Sequence, residues 1–375
     1  MDAFLHPSLS CLHDPHLLKD GEKAASILKE YIDGGKKIRI IGDYDIDGIC
    51  STYILHDALL SLGGNADYAI PHRISDGYGI NGNMVNTAKD EGVELVITCD
   101  NGISAFDAMD RAKYIGLPVI ITDHHELQFG EEPDGTLYDR IPECEAAVNP
   151  HRRDCPYPFK DICGAEVAFK VVQILFSLYG KEESEATEKY LSFTAFATIG
   201  DIMVLKDENR AIVKHGLLSL EKTENPGMRA LIERTGLSGA KLSVYHVGFV
   251  LGPCFNASGR LDTATLAIEL LEEKDESRAV QRAEELVVLN EERKEINKEK
   301  IENKEKKNEE ENKNDKKDEI IEVKEEKKDY IVVENTIYSE KGLNLNENIG
   351  DDELLIKEDS PLKELRRTMT CGKRK

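Results

Sequence analysis

Three aspartates at alternating positions follow a short apolar run near the start of the chain. The run ends at Ile41 and has the composition of a buried strand, and after Asp43, Asp45 and Asp47 a helix-like segment begins. Alternate carboxylates at the carboxyl end of a parallel strand can converge on a divalent cation, which neutralises them. The same residues could instead form an acidic turn in which Asp47 caps the next helix. This loop alone does not decide between the two.

Two later apolar runs end in residues of the same kind. Residues 95–99 lead directly to Asp100, and residues 118–122 lead to Asp123 and the pair His124 and His125. Each loop alone could be a helix cap. Because the carboxyl ends of parallel strands lie along one edge of a sheet, their coincidence favours one polynuclear metal site.

A further acid stands alone in an apolar segment. Residues 190–205 read as a helix with little polar surface, and Asp201 is the one acid within that segment. A carboxylate in such surroundings is costly unless it is paired or bound to a cation. We therefore expect Asp201 to be another metal ligand, with a helix N-cap as the alternative.

Two glycine-containing loops have residues that suit a phosphate. The loop 71–81 contains Arg73, which could pair with a phosphate, and Tyr78, whose ring could stack on a base. Its composition fits an ordinary surface loop equally well. The loop 252–260 would expose backbone N–H groups beside the guanidinium of Arg260, which suits a bound phosphate.

These residues need an α/β fold to bring them together. Apolar runs alternate with helical periodicity, which predicts a parallel sheet flanked by helices. Strands are expected at 38–41, 66–70, 95–99, 118–122 and 146–148, and helices at 52–62, 83–91 and 164–178, with a long helix from Ala264. Residues 127–145 read as an acidic excursion that contains glycine and proline.

The sequence predicts three regions. Residues 1–205 would form the domain that holds the acids, and residues 206–290 a helical segment with the phosphate-binding loop and a long connecting helix. Residues 291–375 would be a charged low-complexity tail. Its first part is either a solvated extension of the helix or disordered, because it has too few apolar residues to fold alone.

Composition narrows the function classes. The net charge of -23 argues against broad, nonspecific binding to duplex DNA, which requires many phosphate-neutralising lysines and arginines. The eight cysteines form no C-x-x-C pair, so we expect reduced, mostly buried thiols. Because no apolar run reaches membrane-spanning length and the first residues do not resemble a signal peptide, we expect a cytoplasmic protein without membrane contact.

Four loops in this order resemble those of the DHH phosphoesterase superfamily. They are GDYDIDG (42–48), CDNG (99–102), TDHHE (122–126) and TIGDIM (198–203). The first loop, together with GPCFNASGR (252–260), is similar to the RecJ branch, the single-strand-specific DNA exonucleases. The resemblance runs from about residue 4 to about residue 293.

The resemblance implies a two-metal site and a DNA substrate. Two Mn²⁺ or Mg²⁺ ions would activate water and stabilise the leaving oxygen. His125 and Asp43 would be catalytic. The positions that match the metal ligands are Asp45, Asp47, Asp100, His124 and Asp201, with Asp100 as the bridge. Asn256 and Arg260 would hold DNA phosphate. Arg73 and Tyr78 are further candidate substrate contacts from their residue types alone.

The chain also departs from the family pattern. Ile41 stands where some members have a histidine, so one metal would be held more weakly. No DHHA1 domain and no oligonucleotide-binding domain is recognisable after Asn290, which suggests a truncated or frameshifted gene product.

Three functions follow as hypotheses. The first is a 5′-3′ exonuclease that degrades single-stranded DNA to 5′-mononucleotides in DNA repair and recombination. The second is a phosphodiesterase of the same superfamily that acts on oligonucleotides or cyclic dinucleotides. The third is an inactive scaffold that docks on repair or replication proteins. Retention of every matching metal ligand favours an enzyme over a scaffold.

Overall fold

A computed structural model describes residues 5–71, 78–258, 265–315, 330–333 and 336–339, with side chains to residue 298. Its centre is a parallel sheet. In chain order the strands are β1 (Lys37–Ile41), β2 (Asn65–Ala69), β3 (Leu95–Cys99), β4 (Val119–Thr122), β5 (Gln128–Glu131), β6 (Leu137–Arg140) and β7 (Ala146–Val148). The sheet has the order β2-β1-β3-β4-β7, and each neighbouring pair is parallel. The predicted α/β fold is therefore confirmed.

Helices cover both faces of this sheet. In chain order, the helices of the described residues are α1 (Gly21–Asp33), α2 (Ile46–Ser61), α3 (Gly82–Asp90), α4 (Phe106–Tyr114), α5 (Gly164–Leu178), α6 (Glu183–Gly200), α7 (Asp207–Leu220), α8 (Pro226–Arg234), α9 (Val244–His246), α10 (Gly252–Ser258), α11 (Thr265–Glu272) and α12 (Glu276–Asp315), with a π-helical turn at Val247–Leu251. Short 3₁₀ turns lie at Leu9–Cys11 and Pro15–Leu17.

The side chains of each strand point alternately to the two faces of the sheet, so the hydrophobic core has two parts, one on each face. Ile38 and Ile40 of β1 pack with α1, α2, α5 and α6, whereas Ile41 packs on the other face with α3 and α4. All three side chains are completely buried. Successive side chains of a strand point to opposite faces, so an apolar run such as this one fits a sheet covered on both sides.

The structure rules out both helix caps that stood as alternatives to metal ligands. Helix α2 begins at Ile46, earlier than predicted, and its N-cap is Asp45, whose Oδ1 accepts from the backbone N–H groups of Asp47 and Gly48 at 3.0 Å each. The cap is thus Asp45 and not Asp47, since the helix starts inside the acidic loop. Asp201 follows the last residue of α6, so it cannot be an N-cap.

The long helix predicted from Ala264 is two helices. They are α11 and α12, and Glu273 lies between them, where its Oε1 accepts from the backbone N–H groups of Lys274 and Asp275 at 3.0 Å each. Asp275 in turn accepts from the N–H of Arg278 at 2.9 Å. Acidic side chains that bond nearby backbone groups compete with the helix, and here they end one helix and cap the next.

Residues 128–140, within the acidic excursion, contain the antiparallel hairpin of β5 and β6. The predicted loop that begins at Gly252 is helical to Ser258, because its buried residues alternate at helical spacing. Arg73 and Arg260 lie outside the described residues.

Contacts divide the chain into two units, Met1–Lys304 and Glu305–Lys375. In the second, β8 (Tyr330–Val333) and β9 (Thr336–Ser339) form an antiparallel pair. Residues 291–315 are helical, as in the helix-extension alternative. The predicted boundaries at 205 and 290 stay a prediction.

The seven cysteines in the described part of the chain are free thiols. No helix found there has the length and apolarity to span a bilayer.

Candidate metal centre

His124, at the carboxyl end of β4, lies among carboxylates from three other elements. Its Nε2 is 3.1 Å from Oδ1 of Asp100, 3.5 Å from Oδ2 of Asp47 and 3.7 Å from Oδ2 of Asp201. Asp100 follows β3, Asp47 is in the first turn of α2, and Asp201 follows α6. The structure thus brings three of the other four predicted ligands around the imidazole of His124.

The fifth predicted ligand, Asp45, belongs to an adjoining group. Oxygens of Asp43, Asp45 and Asp100 lie within 4.8 Å of one another, as do ligand atoms of Asp47, His124 and Asp201. Asp100 belongs to the first group and is within 3.1 Å of His124 in the second. Two neighbouring sets of donors that meet at Asp100 have the arrangement expected of a two-cation centre.

Backbone conformation and a glycine fix the position of Asp100. Its φ is 60°, in the left-handed region that aspartate tolerates better than most residues. Gly164, the first residue of α5, packs directly against it: a Cβ at Gly164 would lie 2.6 Å from Cβ of Asp100. Only glycine at this position allows α5 to approach so closely.

The N-terminus of α5 anchors Asp47. The backbone N–H groups of Gly164 and Ala165 donate to Asp47 at 2.6 and 2.7 Å, one to each carboxylate oxygen. Cys163, the N-cap residue of α5, makes no side-chain cap bond, so Asp47 satisfies N–H groups that α5 leaves open. The carboxylate of Asp47 is thus fully buried against backbone donors at the positive end of the helix dipole.

Other carboxylate oxygens have no such anchor. Within the described residues, both oxygens of Asp43 and Oδ1 of Asp100 are buried and accept no hydrogen bond of good geometry. Burial, and next the charge of Asp45, raise the pKa of Asp43 to about 7. Burial and the charges of Asp47 and Asp45 likewise raise the pKa of Asp201 to about 7 and that of Asp100 well above its usual range. Buried, mutually repelling acids require a compensating charge.

This donor set fits hard divalent cations. Carboxylate oxygens predominate, and burial lowers the pKa of His124, which favours the neutral imidazole that can donate its lone pair. Oxygen-rich sites with one imidazole suit Mn²⁺ or Mg²⁺, whereas several thiolates or imidazoles would suit Zn²⁺. The side chains at this edge of the sheet can therefore hold divalent cations.

A chain of hydrogen bonds orients His125. Its Nδ1 lies 2.7 Å from Oδ1 of Asp123, and its Nε2 lies 3.0 Å from the hydroxyl of Tyr78. That hydroxyl donates to the backbone carbonyl of Asp100 at 3.1 Å, so it accepts from His125. Burial lowers the pKa of His125, but the hydrogen bond and charge of Asp123 outweigh it and raise the pKa to about 9. The ring is thus a doubly protonated donor at neutral pH.

The sequence placed Asp123 at a strand end, but we assigned it no role of its own. Burial alone would raise its pKa, but hydrogen bonds from His125 and from the backbone of Ile103 hold it below the usual range. Oδ2 accepts from Ile103 at 2.9 Å, and Oδ1 accepts from the N–H of His124 at 2.8 Å. Its signal was available, since Asp123 is an acid directly after a buried strand.

Asn101 is a second residue that sequence reasoning missed. Its Nδ2 donates to the carbonyls of Ile41 at 3.1 Å and Cys99 at 2.9 Å, and its Oδ1 accepts from the N–H of Ile80 at 3.1 Å. One side chain thus ties β1, β3 and the loop before α3 together beside the acids. Sequence offered no sign of the bonds to Ile41 and Ile80, because both residues lie on segments distant from Asn101 along the chain.

Of the predicted substrate-binding residues, Asn256 and Tyr78 lie within the described part of the chain. Oδ1 of Asn256 accepts from the backbone N–H of Ile46 at 3.1 Å, so this side chain holds the acidic loop. The ring of Tyr78 is half exposed and meets His125 edge-on, with ring centroids 5.6 Å apart. Beside His125 is a cavity of about 890 Å³ whose walls include Tyr78, Ile103 and Phe106.

Comparison with known proteins agrees with this geometry. The family model for the N-terminal domain of the DHH family matches residues 37–198. The chain is 38% identical over 293 residues to the single-stranded-DNA-specific exonuclease RecJ of Bacillus subtilis, covering 78% of this chain and 35% of that protein. It is 36% identical over 286 residues to RecJ of Escherichia coli, covering 73% of this chain and 48% of that protein.

Solved structures of RecJ proteins also superpose on this chain. A crystal structure of exonuclease RecJ bound to manganese superposes with a TM-score of 0.67 and 32% identity, covering 76% of this chain and 69% of that one. RecJ of Thermus thermophilus in complex with Mn²⁺ superposes with a TM-score of 0.67 and 30% identity, covering 80% and 41%. The chain spans a third to a half of the length of the two curated relatives above. By sequence and by fold, the chain belongs to the DHH family and, within it, to the RecJ proteins.

Proposed function

We propose that this chain is a metal-dependent phosphodiesterase that degrades single-stranded DNA from the 5′ end to 5′-mononucleotides, in DNA repair and recombination. The observation that carries the proposal is the meeting of His124 with carboxylates of Asp47, Asp100 and Asp201 within 3.7 Å. The substrate is inferred from relatives named as single-stranded-DNA-specific exonucleases. A cytoplasmic location and docking on repair or replication proteins belong to the same proposal.

Two Mn²⁺ or Mg²⁺ ions would be held by the residues predicted from the sequence: Asp45, Asp47, Asp100, His124 and Asp201. When bound, such a pair supplies a more acidic water and a counter-charge for the leaving oxygen. The chain itself contributes by fixing the positions of the carboxylates. Asp47 is fixed by two backbone donors of α5, and Asp45 by two of α2, so these carboxylates need no rearrangement to receive a cation.

His125 and Asp43 are the proposed catalytic side chains. His125 would contact the scissile phosphate, and its ring is held from both sides, by Asp123 and by the hydroxyl of Tyr78. Its side chain remains 44% exposed, so a substrate can reach it. Asp43 would act from a buried position, where its carboxylate lies within 4.8 Å of those of Asp45 and Asp100.

Substrate phosphate would be contacted by Asn256, Arg260 and Arg73. Because Oδ1 of Asn256 is used by Ile46, its Nδ2 is the atom that can donate to phosphate oxygen. Tyr78 would supply a ring for a base. The acidity of the chain fits a substrate that is bound by a few specific contacts rather than by bulk charge.

A 5′-labelled single strand incubated with Mn²⁺ tests the proposal. We expect labelled mononucleotides from the unaltered chain and none from Asp100→Ala, because this substitution removes the oxygen at which the two donor groups meet. Asp110→Ala is the matched control, since Asp110 is an exposed acid on α4. Equal product from the Asp100→Ala protein, or no product from any variant, would contradict the assignment.

Two further measurements separate the alternative functions. Faster turnover of a dinucleotide than of a long strand would favour a phosphodiesterase for small substrates. Calorimetry with Mn²⁺ that detects no binding would favour an inactive scaffold, because the acids would then have no catalytic use.

A further inference from the structure

Two aromatic side chains lie exposed and stacked on the helical run that leads to Asn256. The rings of Tyr245 and Phe249 have centroids 5.0 Å apart and an interplanar angle of 27°. Tyr245 is 46% exposed and Phe249 is 50% exposed. Large aromatic surfaces left in water are costly, so such a pair calls for an explanation. We call Tyr245 and Phe249 the aromatic platform.

The exposure of the platform does not come from loose packing. Val247 and Leu251, on the same π turn, are completely buried and fix the backbone against the core. At Gly248, between the two rings in sequence, a Cβ would meet nothing within 4 Å, so this face of the turn is open. π turns within helices occur frequently at functional sites, since the extra residue redirects side chains.

The platform is connected to the metal centre by the same helical run. From Val244 to Ser258 the backbone is continuously helical, and near its end Asn256 bonds the N–H of Ile46 in the acidic loop. At Gly252 a Cβ would lie 3.3 Å from Cδ1 of Ile46. At about 1.5 Å per residue, Phe249 is roughly 10 Å along the axis from Asn256. A polymer held at the metals could therefore also reach the platform.

Unpaired bases are the chemistry that suits such a surface. Every base has a π face, so aromatic rings bind single strands without sequence preference, whereas the bases of a duplex are already stacked and paired. The chain carries a net charge of -23, so away from the metal centre and its phosphate-binding residues attraction to phosphates contributes little. There, stacking is the main remaining source of affinity for a strand.

We propose that Tyr245 and Phe249 stack on unpaired bases of single-stranded DNA and guide the strand toward the metal centre. The proposal rests on the proposed function and adds a binding site on α9 and the π turn. It also gives a physical reason for single-strand specificity that the metal centre lacks, since phosphodiester groups are alike in single and double strands.

The absence of tryptophan from the chain allows a direct test. Tyr245→Trp places the only indole on the platform and keeps an aromatic ring there. In an Asp100→Ala background, which prevents cleavage, we expect a thymidine 20-mer to quench its fluorescence. Tyr114→Trp is the matched control. Tyr114 is 82% exposed and is the last residue of α4, and we expect no quenching of the fluorescence of a tryptophan there.

A binding titration gives the second readout. We expect the variant Tyr245→Ala with Phe249→Ala to bind the 20-mer at least about tenfold more weakly, from the usual effect of removing base stacking. Equal quenching of both tryptophan reporters, or unchanged affinity of the double variant, overturns the proposal. So does a change in sedimentation mass with unchanged DNA affinity, which would make the platform a protein contact.

A substrate without bases separates this inference from the proposed function. Hydrolysis of bis(p-nitrophenyl) phosphate by the unaltered chain with Mn²⁺ reports the chemistry alone. If it is not hydrolysed, the proposed function fails, while quenching and affinity still decide whether the platform binds single-stranded DNA.

Discussion

Replacing Gly164 with alanine tests whether the metal centre depends on the close contact between α5 and Asp100. The new Cβ would lie 2.6 Å from Cβ of Asp100 and 2.9 Å from its Oδ1. Carbon atoms in contact are normally about 3.5–4.0 Å apart, so one partner must move by roughly 1 Å. The N–H of Gly164 also donates to Asp47, so a shift of α5 would displace a second proposed ligand.

The expected effect on activity is larger than the effect on stability. Overpacking a buried site costs about 1–3 kcal/mol, and alanine at the start of a helix offsets part of that loss. A displacement of about 1 Å at a reacting centre can lower the rate by about 100-fold. We therefore expect Gly164→Ala to fold, to bind Mn²⁺ more weakly and to lose about 100-fold in phosphodiester hydrolysis.

The measurements are a urea titration, calorimetry with Mn²⁺ and hydrolysis of bis(p-nitrophenyl) phosphate. Gly248→Ala is the control, because a Cβ there meets nothing within 4 Å. If Gly164→Ala hydrolysed the substrate as fast as Gly248→Ala and bound Mn²⁺ equally well, the positioning argument would be wrong. A protein that did not fold would show that the contact serves stability first.

Two further predictions concern buried charges away from the metals. Lys170→Met should lower the free energy of unfolding in a urea titration by about 3–5 kcal/mol, because Nζ of Lys170 lies 2.8 Å from Glu208 with both side chains fully buried; a loss below about 1 kcal/mol would refute this. Burial lowers the pKa of His56, but the hydrogen bond and charge of Glu272 raise it above 6.5 overall. The stabilisation by His56 is therefore complete below pH 6.5 and is lost as the pH rises through the folded-state value. The difference in unfolding free energy between the unaltered chain and His56→Gln should shrink with rising pH, and a constant difference would count against this pairing.

The strand-end acids could be predicted from sequence because their positions follow from local periodicity. A run of buried type, such as the one that ends at Cys99, predicts where a strand ends, and parallel strands end at a shared edge. Asp100 and His124 follow from that rule. Asp201 could be predicted from the free-energy cost of burying a charge, since a lone acid in an apolar helix needs a partner. These arguments need no knowledge of distant contacts.

What sequence could not predict are the contacts that fix the acids in place. Gly164 is far along the chain from both Asp47 and Asp100, and nothing near it in sequence indicates that its missing side chain matters. Asn256 was expected in a loop, because glycines bound its segment, yet it lies in a helix and holds Ile46. Such roles depend on which helix packs beside which strand.

Ile46 illustrates how packing sets the geometry of the centre. A Cβ at Gly200 would lie 2.3 Å from Cγ2 of Ile46, and a Cβ at Gly252 would lie 3.3 Å from its Cδ1. One apolar side chain in the acidic loop thus fills the space between the helix that ends before Asp201 and the helix that carries Asn256. Because carboxylates repel one another, no attraction among the acids could hold these elements at a fixed separation. Close contact between Ile46 and two glycines supplies that separation, which is why the ligands can converge from four elements in a chain of strongly negative charge.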